Sequence, residues 1–569
     1  MVIEGIADTS SVLAFAGDTA NFPHLAGLQP DLYRCFMEQT WRHASGRGTV
    51  GLVHPETHFT DEKAGILRRA TYQRLRRHWQ FLNELMLFDI DHHVSYGVHV
   101  YGAAREPAFL HATSLYHPDT VERSFRHDGT GLEPGLKDPG GNWDLRPHSN
   151  RIIEVTPEVL RTWHDVLEND DLPVGNTRMV YTVSRSSADV LGKLVAAPRV
   201  GSLGLKFSRG WDESRDRKAG RFSPSWGRAQ SWDDVILQGP HLHVVTPFYK
   251  SPNPTMRHNL DWSPVDLERL PADAVPVTSY KPAGDRYRYD CAYTDWGTEA
   301  RPMPARDFYR IAWRRMAATT GERTLISAIV PPGATHVHPV HTLALPTEDL
   351  ETLAVLEGFM SALLLDFTIR SVPKSEILFS SVARLPFAAT EPIRAALALR
   401  SARLNCLTAG FAPLWEALNR ESFLGDRWTG GIEYEDRPGL APESMVWSVD
   451  TPLRRSADRR QALVEIDALV ALALGVTADE LCSIYRTQFP VLYGYDRNRD
   501  HYDANGRLVP GEVIRTWRAR GDRISVEERT ATNAAGYTYT YELPFRTLDR
   551  EHDMRVAYAE FERRQKERS

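Results

Sequence analysis

Hydrophobic periodicity divides the 569-residue chain into a mixed first two-thirds and a helical last third. Residues 1–30 are weakly periodic and are expected to form a loop-rich lead-in. Val50-Gly51-Leu52-Val53 is a short apolar run, the signature of a buried strand. Leu67, Leu75, Trp79 and Leu82 then share one stripe at 3.6-residue spacing, with Arg69 and Arg76 pointing roughly away from it, which predicts a helix over 62–83. Leu85-Met86-Leu87-Phe88 and Val98-His99-Val100-Tyr101 are two further strand candidates flanking a His92-His93 loop. Residues 125–150 are rich in Gly, Pro and Asp and read as a linker or long loop. Residues 151–200 are mixed, and 200–300 read as short strands and loops. Arg323–Val330, ended by Pro331-Pro332-Gly333, is the clearest strand.

The last third follows helix spacing through Leu353, Leu356, Met360, Leu363, Leu364 and Phe367. Thr390 and Pro392 open another helix near Ile393, and Leu463, Ile466, Leu469, Leu472 and Leu474 mark one over 456–475. Thr477 and Glu480 form a capping box for the next. A strand pair is expected around Arg523–Glu527 and Thr538–Glu542, before a charged terminal helix expected to fray.

Composition narrows this little. A hydrophobic fraction of 42% and a charged fraction of 25% are those of an ordinary soluble globular protein, with length for two to four domains. No run of about 18 apolar residues appears, so no membrane span is expected. The first residues lack a basic segment ahead of an apolar one, which argues against a secretory signal. Cys35, Cys291, Cys406 and Cys482 lack metal-type spacing and suit a reducing compartment, so the expected location is cytoplasmic. A net charge of −6 does not announce a nucleic-acid binder, but a local basic face matters more than the sum.

Several constellations could carry chemistry. Lys206-Phe207-Ser208-Arg209-Gly210-Trp211, with Arg215, Arg217, Lys218, Arg221 and Trp226, mixes positive charge with aromatic and small residues, as a loop tracking a phosphate backbone would. Asp212, Glu213 and Asp216 partly cancel that charge, so a solvated loop is the alternative. Arg310, Arg314 and Arg315 beside Trp313 could contact base edges or phosphates, or pair with Glu322 and Asp307. Arg68, Arg69, Arg74, Arg76 and Arg77 could contact phosphates or form the solvated face of a helix. His336, His338 and His341, like His241 and His243, suggest a zinc cluster by spacing, but no Cys accompanies them and no acid lies near His336–His341, so no metal site is expected. A phosphate loop of the Gly-x-x-x-x-Gly-Lys-Ser/Thr type is absent, and no acidic cluster ending in Glu-x-Lys stands out.

Four ordered blocks carry a family resemblance. The first runs over 32–102, from Leu32-Tyr33-Arg34-Cys35-Phe36 through Gly51-Leu52-Val53-His54-Pro55-Glu56 to Phe88–Val98. The second is Gly239–Val244 with Pro247-Phe248-Tyr249-Lys250, the third Tyr309–Arg315 running into Gly321–Ile326 and Pro331–Gly333, and the fourth Ile484–Leu492. Together they resemble the C-terminal portion of gamma-class adenine-N6 DNA methyltransferases of type IIG restriction and of DISARM- and BREX-like phage-defence systems. The resemblance departs from the family at its centre: neither the Gly-rich turn for S-adenosylmethionine nor an Asn-Pro-Pro-Tyr-type tetrapeptide occurs.

The resemblance implies an α/β plus α+β chain, organised as the back half of a Rossmann-like methyltransferase sheet (1–125), a linker and mixed segment (126–200), a target-recognition domain (201–390) and a mainly helical C-terminal region (391–569). It also implies that the His92–Tyr96 loop approaches a flipped adenine, with His93 and Tyr96 as stacking candidates and His92 behind them. The expected role is the DNA-recognition and scaffold subunit of a split methyltransferase, inactive alone. S-adenosylmethionine would bind a catalytic partner subunit, double-stranded DNA would be the other partner, and no catalytic residue would lie on this chain. A DNA-specificity module guiding a nuclease or helicase without methylation is the alternative.

Overall fold

The computed structural model describes residues 2–168, 171–298, 300–318, 320–372, 375–418 and 420–568. It is a mixed α/β structure with several small sheets and about 20 helices, divided into two compact units. One contains the chain up to Ala196 with short returns near Ser371 and at Arg486–Pro490, and the other contains the remainder.

The first unit is built on a five-stranded sheet of β1 (Val50–Pro55), β2 (Leu75–Leu82), β3 (Ser95–Tyr101), β4 (Phe109–Leu115) and β5 (Ile153–Val155), in the order β1-β3-β2-β4-β5. β3 runs antiparallel to both β1 and β2, β2 is parallel to β4, and β5 is antiparallel to β4. A Rossmann-like sheet is not established by this arrangement. One face packs Trp79, Phe81, Tyr96, Ala112 and Leu115 against Val121 and Ile152. The other carries His54, His78, His99 and His111, placed by period-2 alternation and by the register His54↔Gly97, His99↔His78 and His78↔His111.

The expected 62–83 helix is corrected. Only Gly65–Arg74 is helical, and at Leu75 the backbone turns extended (φ −63°, ψ 138°) into β2. Trp79 fits both the helical stripe and a strand face, and pairing with β3 and β4 decides between them. Leu85–Phe88 is not a strand either. Asn83 opens a single 3-10 turn and Met86 is left-handed (φ 52°). The Asn83 amide donates to the carbonyls of Phe88 and Ile90 and accepts from the Phe88 N–H, so a side chain substitutes for a ladder. Residues 125–150 are irregular yet tied down: buried Asp144 accepts from the Gly135 N–H and from Arg146, and Arg151 donates to the Asp144 carbonyl.

In the second unit, Ser327–Val330, Arg310–Arg314, Val340–Ala344 and Lys206–Ser208 make a four-stranded antiparallel sheet in that order. The expected Arg323–Val330 strand is shortened because Arg323 and the Thr324 N–H are taken up by buried Asp366. Helices Leu350–Ser361, Ile393–Asn405 and Ser456–Ala473 pack together, and Arg550–Arg568 lies on the last of these. That terminal helix is anchored rather than frayed at its start: Met554, Ala557 and Phe561 are buried and Arg550 pairs with Asp496 at 2.7 Å. The Thr477–Glu480 capping box forms, whereas the final strand pair is Thr530–Thr532 with Thr538–Thr540, shifted from the expected Arg523–Glu527. Among the described residues no single helix is long and apolar enough to cross a membrane; the bent pair Leu350–Ser361 and Leu363–Arg370 is core.

Candidate functional site

The densest polar constellation lies on the histidine face of the first sheet. β1 delivers His54, and the chain after it delivers Glu56 and His58; β2 delivers His78, β3 His99 and β4 His111. All are buried. Glu56 is the hub. Its Oε2 accepts from Tyr181 Oη at 3.0 Å and lies 2.9 Å from His78 Nε2, while Oε1 lies 3.0 Å from His99 Nε2. Behind His78, His111 Nδ1 is 2.8 Å from His78 Nδ1. His54 stacks on His99 with ring centres 3.8 Å apart, and Tyr33 stacks on His54. The place for these rings depends on Gly97, where a Cβ would sit 2.0 Å from Glu56 Oε1 and 2.2 Å from a His99 ring carbon.

The electrostatics follow from burial. Loss of water pushes the His54 imidazole down to about 3 and holds His58, His99 and His111 below the ordinary histidine range. Burial alone would raise the Glu56 carboxyl, but the facing His78 and His99 hold it well below the carboxylate range. Glu56, His78 and His99 have ligand-type atoms all within 4.8 Å of one another. Sequence reasoning missed this set. The available signal was a histidine at an inward position on each of four strands, visible only once the strands and their register are known.

The expected target-base residues divide. His92 and His93 are exposed in the loop before β3, close to Asp91. Tyr96 is instead a core residue, 6% exposed, stacked on Phe81 at 5.6 Å and met edge-on by Phe88. The three are therefore not brought together into one pocket. Arg68 is also inside, donating to the carbonyls of Asn176, His58 and Asp61.

In the second unit, Lys206, Arg209, Arg215, Arg217 and Lys218 are exposed and Arg221 is half-buried. Arg209 pairs with Asp212 and Arg215 with Asp216, but Arg217 and Lys218 make no ion pair among the described residues. The segment continues into the strand Phe222–Arg228, exposed over most of its length including Trp226, and paired only with Val277–Pro282. Arg310 differs. It is fully buried and donates to the carbonyls of Phe308 and Ala334, so its guanidinium is not available to a DNA groove. Arg314 donates to the Gly239 and Leu242 carbonyls, and Arg315 pairs with Glu376 beside His338. His241 and His336 are buried with hydrogen-bond partners of their own, and His243 faces Glu322 at 3.0 Å.

The second unit also holds an open cleft of about 670 Å³ lined by Tyr249, Arg454, Arg459, Arg499, Arg507 and Tyr539 among others. Arg459 and Arg454 reach only backbone carbonyls, and burial pushes Arg459 down to about 9.

No family model matches the chain, and no curated protein matches it. Among solved structures it is similar to the crystal structure of the type IIG restriction endonuclease BpuSI, at 10% identity and a TM-score of 0.27, with 84% of this chain and 50% of that one covered. The chain thus spans half the length of that structure.

Proposed function

We propose that the chain is the DNA-recognition and scaffold subunit of a split adenine-N6 DNA methyltransferase in a restriction-type defence system. A separate catalytic subunit carries S-adenosylmethionine and the base chemistry. The observation that carries the reading is the open edge of the first sheet. β1 is an edge strand: it pairs with β3 and with no other strand among the described residues. Val53 is 56% exposed on that strand, and Leu32, Phe36 and Ile66 are exposed in the same unit. A free, apolar edge is a template for a strand from elsewhere. A subunit that completes a partner's sheet requires such an edge.

Lys206, Arg217 and Lys218, exposed and without an ion pair among the described residues, support DNA contact, because phosphate binding needs cations not already neutralised. Arg310 has no part in this reading. The test is association with a catalytic adenine-N6 methyltransferase subunit, measured with Val53→Lys. A charge on an exposed edge position leaves the fold intact and blocks edge pairing. Loss of the complex with retained DNA binding is the expected result. Full association of the Val53→Lys chain removes the edge from the interface, and a chain that binds no DNA in any complex refutes the recognition role.

A further inference from the structure

Glu56 is a buried carboxylate whose only basic neighbours in pairing distance, among the described residues, are the histidines His78 and His99. Among the described residues no Arg or Lys pairs with it. A lone carboxylate in such surroundings costs several kcal/mol unless a cation compensates it. The hydrogen bonding is also incomplete in a specific way. Glu56 Oε1 and His99 Nε2 are 3.0 Å apart, yet neither has a hydrogen-bond partner. The separation also suits two atoms that share a third. Ligand atoms about 2.0–2.1 Å from a tetrahedral ion lie roughly 3.3 Å from each other. The three donors come from different strands or their ends: Glu56 just after β1, His78 from β2 and His99 from β3. His58 lies beside them, wholly buried, with both ring nitrogens unpartnered.

We propose that Glu56, His78 and His99 form a binding site for one divalent transition-metal ion of the zinc class. Two imidazoles and one carboxylate are a donor set that such ions accept, and the ion's charge compensates Glu56. Tyr181, which donates to Glu56 Oε2, orients the carboxylate. Gly97 supports the assignment, since any side chain there would occupy the space between Glu56 and His99. The site is closed to solvent, so the ion's role is to tie β1, β3 and β2 together. The Asp91, His92 and His93 side chains also lie within ligand distance of one another, but they are exposed, and they serve as the competing explanation for any metal that is found.

The experiment uses the full chain carrying His92→Ala and His93→Ala, which removes the exposed cluster without touching the core. After chelation and dialysis it is titrated with Zn²⁺, and with Co²⁺ as a spectroscopic probe. The expected result is about one ion per chain, visible Co²⁺ bands of a low-coordinate site, and a rise in Tm with Zn²⁺. Glu56→Gln and His78→Gln, similar in size to the native side chains, lose at least about 100-fold in affinity, since even outer residues of such sites are worth 10–100-fold. Absence of saturable binding or of the Co²⁺ bands in the double variant overturns the proposal and leaves a proton-linked Glu56–His78–His111 chain. Unchanged affinity in a folded Glu56→Gln chain overturns it as well. If Glu56→Gln fails to fold, the Co²⁺ spectrum and Tm shift of the double variant decide alone. The outcome is independent of DNA binding and of any partner.

Discussion

Two groups of histidines in the first unit, the pair at 92–93 and the row at 54, 58, 78, 99 and 111, differ in nearly every physical respect. The pair sits in a loop held by a hydrogen bond from the His93 N–H to the Asp91 carboxylate, and both rings are exposed. The row is buried on and beside the inner face of a sheet, and two of its members, His78 and His99, share the Glu56 carboxylate. The second unit repeats the contrast in arginines: Arg217 is exposed without an ion pair, whereas Arg310 caps carbonyls in the core. Residue type therefore does not distinguish a surface available to a ligand from a satisfied interior. The difference arises from which side of a strand the residue falls on, and what its polar atoms already touch.

The largest effect that would sharpen this contrast is acid sensitivity. His54, His241 and His341 are held down to about 3, 4 and 3 by burial. In the unfolded chain such a histidine takes its proton from about pH 6.5 downward, but in the folded chain only near its depressed value. Between those limits the unfolded state holds more protons, so stability falls as pH falls. Each group contributes roughly 1 kcal/mol per pH unit. Urea unfolding at pH 6.5 and pH 5 should therefore differ by on the order of 4 kcal/mol for the three together. A flat profile over that range would show that these rings are wetter or more easily protonated than their burial indicates.

Next in size is Tyr96→Ala, set against His93→Ala. Removing a buried ring stacked on Phe81 should cost about 3–5 kcal/mol. Removing an exposed imidazole should change stability by less than about 0.5 kcal/mol. Thermal melts of both variants read this directly. Equal, small effects would return Tyr96 to the candidates for contact with an extruded base.

Much of the helical part was legible in the sequence, because long apolar stripes at 3.6-residue spacing have one reading. The helix at Ser456–Ala473 and the Thr477–Glu480 box are examples. The β2 region was not, because Leu75 and Trp79 satisfy two periods at once and no Gly or Pro marks the switch at Leu75. Loop 83–91 escaped for another reason: a single Asn side chain replaces a strand ladder there. For the candidate site the limit is register. His54, His78, His99 and His111 are scattered over 58 residues of sequence, counting from the first to the last. Only the pairing of β1, β3, β2 and β4 gathers them around Glu56, which precedes a helical turn and carries no motif. The basic segment 206–228 was legible because exposure and charge agree locally. Arg310 was not, since the same guanidinium serves a carbonyl as readily as a phosphate.

The smallest effects on stability, and the most direct test of the arginine half of the contrast, come from Arg217→Ala with Arg221→Ala beside Arg310→Ala. Arg310→Ala leaves two carbonyls unpaired in the core and should cost about 1–3 kcal/mol of stability. Its affinity for duplex DNA, measured on folded protein, should not change. The Arg217/Arg221 pair should behave in the opposite way. Arg217 has no ion pair to lose and Arg221 donates only to the Arg288 carbonyl, so stability should shift by no more than about 0.5 kcal/mol. Each phosphate contact removed should lower the log–log salt slope of DNA binding by about 0.9. A salt titration of the double variant then counts contacts directly. A slope reduced by about 0.9 means that one of the two reaches a phosphate, and by about 1.8 that both do. An unchanged slope with unchanged affinity takes the segment out of the interface and moves the search to the cleft around Arg454 and Arg459, whose cations are likewise without acidic partners among the described residues.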